Sequence, residues 1–173
     1  MTFETLGNLG DFIGGIAVIV SLAYLALQIR QNTRMLRASA LSATTQTYIS
    51  FNQLLGSDPL AARVFQVGLE DFSALTETEQ RQFLNLMRAA IISYEHVYQN
   101  FDAGLIEAEV WERYLREAKR LVEIPHVGAW WQARKHAYTD SFVEMLDAAP
   151  SVPQQKLANR IIDDMLAIGR GGA

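Results

Sequence analysis

One uncharged run constrains this chain more than any other feature. Residues 12–29, FIGGIAVIVSLAYLALQI, hold eighteen positions without an acid or a base, between Asp11 and Arg30. Wound as an α-helix, the run rises about 27 Å, close to the roughly 30 Å hydrocarbon thickness of a bilayer. Ten of its residues are Phe, Ile, Val or Leu, each favouring insertion by about 0.3 to 0.6 kcal/mol, which outweighs Gly14, Gly15, Ser21 and Tyr24. The β-branched Ile16, Val18, Ile19 and Val20 do not oppose a helix here, because a lone segment in lipid satisfies its backbone only as a helix.

Two other readings compete. A secretory signal needs a positive segment ahead of the apolar run and a small-x-small cleavage site after it. The first eleven residues instead carry Glu4 and Asp11 and no Lys or Arg, and no convincing cleavage site follows. A buried helix of a soluble bundle also accommodates glycine pairs and a tyrosine. The membrane reading fits length and flanks best. Arg30, Arg34 and Arg37 follow the run while acids precede it, so the positive-inside rule places the N-terminus outside and the C-terminal bulk in the cytoplasm. The three arginines sit where anionic headgroups would meet them.

The run also has a seam. Heptad spacing from Gly7 collects Gly7, Gly10, Gly14, Ala17, Ser21, Tyr24 and Gln28, while Phe12, Ile13, Ile16, Ile19, Val20 and Leu27 point elsewhere. A small or polar face beside greasy ones is the pattern of a transmembrane helix that packs on another helix. With one spanning segment the partner must be a second chain, and self-association is the simplest form. If several copies surround an axis, Ser21, Tyr24 and Gln28 would line a narrow pore. The register continues through Gln31, Met35, Ala38, Ser42, Thr45, Ile49 and Asn52, and neither Pro nor Gly interrupts the chain between Gly15 and Gly56. One helix of about forty residues is therefore expected to run from bilayer into cytoplasm, with Leu41, Tyr48, Phe51 and Leu55 packed on the globular part.

Beyond it everything reads as helix. Gly56-Ser-Asp-Pro59 ends the long helix and starts another, with Asp58 as N-cap, running to about Val67. Thr76-Glu-Thr-Glu79 is a capping box opening a helix whose Phe83, Leu84, Met87, Ile91, Tyr94, Tyr98 and Phe101 follow the 3.6-residue period until Asp102-Ala-Gly104. Further helices are expected at 107–123, 126–137 and 140–148. After Pro153 a last amphipathic one carries Leu157, Ile161, Met165 and Ile168. The expected organisation is an extracytoplasmic tail (1–11), a transmembrane helix (12–29), its cytoplasmic extension (30–56), a compact all-α bundle (57–168) and a flexible tail (169–173). The segments LGNLGDFIGGIAVIVSLAYLALQIRQNTRMLR, SDPLAARVFQVGLEDFSALTETEQRQF, YEHVYQNFDAGLIEAEVW and GAWWQARK resemble, in order, a widespread group of small bacterial membrane proteins of unknown function. That resemblance implies a membrane helix followed by a helical domain in bacteria, and it transfers no activity or site; with the cytoplasmic orientation of the bulk, the membrane expected is the bacterial inner one.

Chemistry is sparse. There are no cysteines and the net charge is −4, which removes thiolate sites and argues against nucleic acid as a partner. The three histidines show no spacing signature, and no nucleophile-elbow, P-loop or dinucleotide motif occurs. Glu95-His96 lacks the Glu-x-x-His pattern of a di-iron bundle; Glu95 is expected to pair with Arg88 or Arg134. Glu107, Glu109, Glu112 and Glu117 among Arg113, Arg116, Lys119 and Arg120 read as a solvated helix face. Asp163-Asp164 reads as a solvent face as well. Trp130, Trp131 and Arg134 form the most distinctive local cluster, either a partner-binding patch or one core Trp beside a covering one. The expectation is a non-enzymatic, cofactor-free anchor that self-associates, holds the bilayer and offers a cytoplasmic interaction or sensing domain to an unknown partner, the alternative being a small homo-oligomeric channel.

Overall fold

A stretch free of proline can continue as one helix even through glycines, each of which costs only about 1 kcal/mol. In the computed structural model, which describes residues 3–152, α1 runs from Phe3 to Ser57, 55 residues or about 82 Å of helix. It begins ahead of the apolar run, so residues 3–11, expected as a tail, are helical too. Residues 12–29 are exposed along their whole length. The helix is long and apolar enough to cross a membrane.

Ala40 is the first buried residue after the run, and Thr44 follows one turn on. The ten residues between Ile29 and Ala40 make about 15 Å of bare helix between the apolar segment and the bundle. From Tyr48 onward the inner face meets the bundle through edge-to-face rings, Tyr48 on Tyr114 at 5.8 Å and Phe51 on Phe65 at 5.5 Å. The Tyr48, Phe51 and Leu55 part of the expected inward stripe therefore packs as read. Leu41 stays 45% exposed, and the deep positions one turn earlier are the small Ala40 and Thr44, which an apolar count passes over.

Asp58 caps α2, Pro59–Glu70, by accepting from the Leu60 and Ala61 amides at 2.9 and 3.2 Å. This helix outruns the expected end at Val67 because Gly68, seated against the Phe83 ring, lets it continue under α3. A 3-10 turn at Phe72–Ala74 leads to α3, Glu77–Asp102. The capping box at its start is formed in both directions: Thr76 accepts from the Glu79 amide at 3.4 Å and Glu79 accepts from the Thr76 amide at 2.9 Å. Gly104, at φ +69°, turns the chain out of α3 with its Leu105 amide donating back to Asn100 at 2.9 Å.

Helices α4, Ala108–Val122, α5, Pro125–Arg134, and α6, Asp140–Ala148, complete the bundle, with a 3-10 turn at Lys135–Ala137. The described residues form no strand. Phe83, Met87, Ile91, Val127, Trp131, Phe142 and Leu146 are essentially sealed from solvent, each such side chain stabilising the fold by about 1.5–3 kcal/mol. The fold is all-α: a long N-terminal apolar helix continuous with a helical bundle. The amphipathic helix expected from Leu157 to Ile168, Asp163-Asp164 and the 169–173 tail lie outside the described residues.

Candidate functional site: the long helix and its junction with the bundle

Seam residues first. Gly7 and Gly10 belong to the α1 backbone, but the surroundings of residues 4–11 lie outside what is described. A methyl group at Gly14 would meet nothing within 4 Å, and Ala17, Ser21, Tyr24 and Gln28 are exposed. The polar members bond along their own helix. Ser21 Oγ donates to the Ala17 carbonyl at 2.8 Å and Gln28 Nε2 donates to the Tyr24 hydroxyl at 2.8 Å. In hydrocarbon such pairing removes most of the cost of unsatisfied polar groups.

Beyond the apolar segment, Ser42, Thr45 and Ile49 continue the seam and are exposed, whereas Asn52, its last position, reaches the cleft between α1 and the bundle. The residues turned to the bundle are Ala40, Thr44, Tyr48, Phe51 and Leu55. At 3.6 residues per turn the centres of these two sets lie roughly 130° apart round the helix. The bundle therefore docks on one side of α1 and leaves the seam uncovered as far as Ile49. Arg30, Arg34 and Arg37, spaced i, i+4 and i+7, share a strip of the bare segment and are exposed, and no acid occurs between Asp11 and Asp58. The strip is purely cationic.

The tryptophan cluster divides. Trp131 is 1% exposed, its Nε1 donates to Asp147 Oδ1 at 2.8 Å, and its ring meets Tyr138 and Phe142. It is a core residue, so the three residues expected as one patch do not share a surface. Trp130 is half-buried over a cavity of about 180 Å³ with Phe72, Met87 and His126, and Arg134 is exposed. Asp147 also accepts from Lys135 at 2.7 Å. Burial opposes its ionisation, but the hydrogen bonds from Lys135 and Trp131 outweigh that and hold its carboxyl below the usual carboxylate range.

Glu95 takes a role other than the one expected. Its Oε1 accepts from the Thr139 amide at 2.7 Å and the Thr139 hydroxyl at 3.0 Å, so it caps α6 from another helix in place of the arginine pairing. Thr139 makes no side-chain cap of its own, and the free amide captures the nearest carboxylate. Among the described residues no group of three or more His, Asp or Glu is placed to hold a metal ion.

The charged face of α4 divides too. Glu107, Glu109, Glu112, Arg113 and Arg116 are exposed as read. Glu117, Lys119 and Arg120 are half-buried: Lys119 donates to the Leu146 and Asp147 carbonyls, both at 3.3 Å, and Arg120 pairs with Glu117 at 2.8 Å. That pair lines a cleft of about 220 Å³ where α1, α2, α3 and α4 meet. Phe51, Leu55, Phe65 and Leu69 give it an apolar wall; Asn52, Ser93 and Tyr94 add polar groups. Burial, then the nearby Glu117, raises the Tyr94 hydroxyl well above the usual phenol range, so it stays protonated at every physiological pH. The cleft was not legible in the sequence, because its lining comes from four separate segments. The one local signal is the Glu117/Arg120 spacing, which a solvated pair shares.

Comparison of the chain with family models, with curated proteins and with solved structures returns no match.

Proposed function

We propose that the chain is a non-enzymatic membrane anchor of the bacterial inner membrane that joins copies of itself along the α1 seam and presents its bundle in the cytoplasm as an interaction or sensing domain. One observation carries this reading: over residues 40–55 the bundle docks on a face of α1 turned away from Ser42, Thr45 and Ile49, and before Ala40 it does not reach the helix, so the seam from Gly14 to Ile49 stays uncovered. A second helix then has a close approach to the backbone at the glycines and a mixed small and polar surface below them. The orientation rests on Arg30, Arg34 and Arg37 after the apolar segment and Glu4 and Asp11 before it.

The pore alternative uses the same residues. Bonding of Ser21 and Gln28 within their own helix favours a packed, dry seam over a water-lined conduit. Replacing Gly10 and Gly14 with Leu holds the backbones apart. The expected outcome is a shift toward monomer, read as mass in detergent by light scattering. An oligomer of unchanged mass would remove the seam from the reading, and ion flux through the intact oligomer in liposomes would restore the pore.

A further inference from the structure

We propose that the cleft where α1 meets the bundle is a binding site for a small, neutral, single-ring aromatic compound that carries a carboxamide. The proposal deepens the reading of the bundle as a sensing domain and does not depend on self-association. Its size comes first. At about 220 Å³ the cleft exceeds the roughly 150 Å³ that holds a benzene molecule in an engineered core. Phe51, Leu55, Phe65 and Leu69 form a wall suited to a ring, and Phe51 and Phe65 already stand edge to face at 5.5 Å.

The polar lining sets the other end of the ligand. Arg120 supplies N–H donors and Glu117, 2.8 Å away, supplies carboxylate acceptors. A carboxamide offers the complementary couple: its carbonyl accepts while its NH₂ donates. A carboxylate ligand would gain Arg120 but meet Glu117, and an ammonium ligand would gain Glu117 but meet Arg120, so the pair offsets either charge and leaves its desolvation uncompensated. Tyr94 stays a neutral hydroxyl and adds one more donor or acceptor without adding charge. Because Phe51 and Leu55 belong to α1 while Glu117 and Arg120 belong to α4, an occupant would bridge the long helix and the bundle, and its binding would stiffen that junction.

Benzamide is the probe, added to the full-length protein in detergent and followed by the amide resonances of Leu69, Ala90 and Leu121. Saturable shifts are expected, with benzoate and benzylamine binding about tenfold more weakly or worse. Ser93→Leu, which fills the cleft, should abolish the shifts, and Glu117→Gln, which keeps the shape, should weaken benzamide several-fold. No saturable response, or equal binding of all three probes, overturns the proposal. So does full binding by Glu117→Gln, the variant that decides the matter if Ser93→Leu fails to fold. Oligomer mass is measured on the same samples, so failure of the seam and failure of the cleft are read separately.

Discussion

Thr44 shows what a single atom does at the junction. Its side chain is 1% exposed, yet its hydroxyl has no hydrogen-bond partner among the described residues. Thr33, Thr45 and Thr47 on the same helix each donate to the carbonyl four residues back, so Thr44 forgoes a bond open to it, and a buried polar group left unpaired costs about 1–3 kcal/mol. Thr44→Val is expected to raise stability by roughly 1 kcal/mol, read as the chemical-denaturation midpoint of the bundle; a lower midpoint would mean the hydroxyl is satisfied after all. Gly68 is the opposite case. A Cβ there would lie 2.2 Å from the nearest carbon of the Phe83 ring, and the Gly68 carbonyl accepts from His126 Nε2 at 2.7 Å. Gly68→Ala forces Phe83 from its place and should destabilise by about 1–3 kcal/mol, measured in the same titration. A neutral result would show that the ring moves freely.

Helix ends set the behaviour of the elements. The turn between α2 and α3 is held by two carboxylates that accept local hydrogen bonds: Asp71 from the Ser73 hydroxyl at 2.6 Å and amide at 2.9 Å, and Glu79 from Thr76. The Ser73 hydroxyl bond, then the Ser73 amide bond, lowers Asp71; the Thr76 amide bond, then its hydroxyl bond, lowers Glu79. Arg63 adds an ion pair to Glu79. A carboxyl that titrates lower when folded favours the fold when ionised. Its contribution is complete above the unfolded value near pH 4 and is lost as pH falls through the lower folded values. Asp147 follows the same sign at the α5–α6 end. Thermal melts by circular dichroism should therefore be level near neutrality and fall below about pH 4; a melting temperature unchanged into that acid range would contradict the assignment. Gly104 adds a different kind of end, since its left-handed backbone, at φ +69°, is one that a Cβ disfavours.

At the scale of the whole molecule, the bundle stands off the apolar segment on a bare, arginine-bearing stretch of α1. With the apolar segment in a bilayer, as proposed, this spacing would hold the bundle clear of the lipid and leave Arg30, Arg34 and Arg37 at its surface. A reporter fused after Ala173 is expected to be active only on the cytoplasmic side; activity on the outer side would reverse the orientation. Between the apolar end and the Tyr48 and Phe51 contacts no proline introduces a kink.

Much of this architecture was legible in the residue order, for local reasons. Helix starts and stops depend on groups three or four positions apart, so Asp58, the Thr76–Glu79 box and Gly104 stand out in the sequence. The continuity of α1 from Gly15 to Gly56 follows from the lack of breakers and its apolar reach from the uncharged run, but its start at Phe3, ahead of Gly7, Gly10, Gly14 and Gly15, was not read from the sequence. What only the tertiary structure decided involves partners distant in the chain. Glu95 and Thr139 are 44 positions apart, and no periodicity foretells that a carboxylate on α3 will cap α6. The separate fates of Trp130 and Trp131 depend on where α6 packs. The cleft at Arg120 and Glu117 exists only because four helices converge on it. The apolar run that opens the chain was settled by its own composition as helix; which side of that helix the bundle would take, and so which side stayed free, was settled by packing.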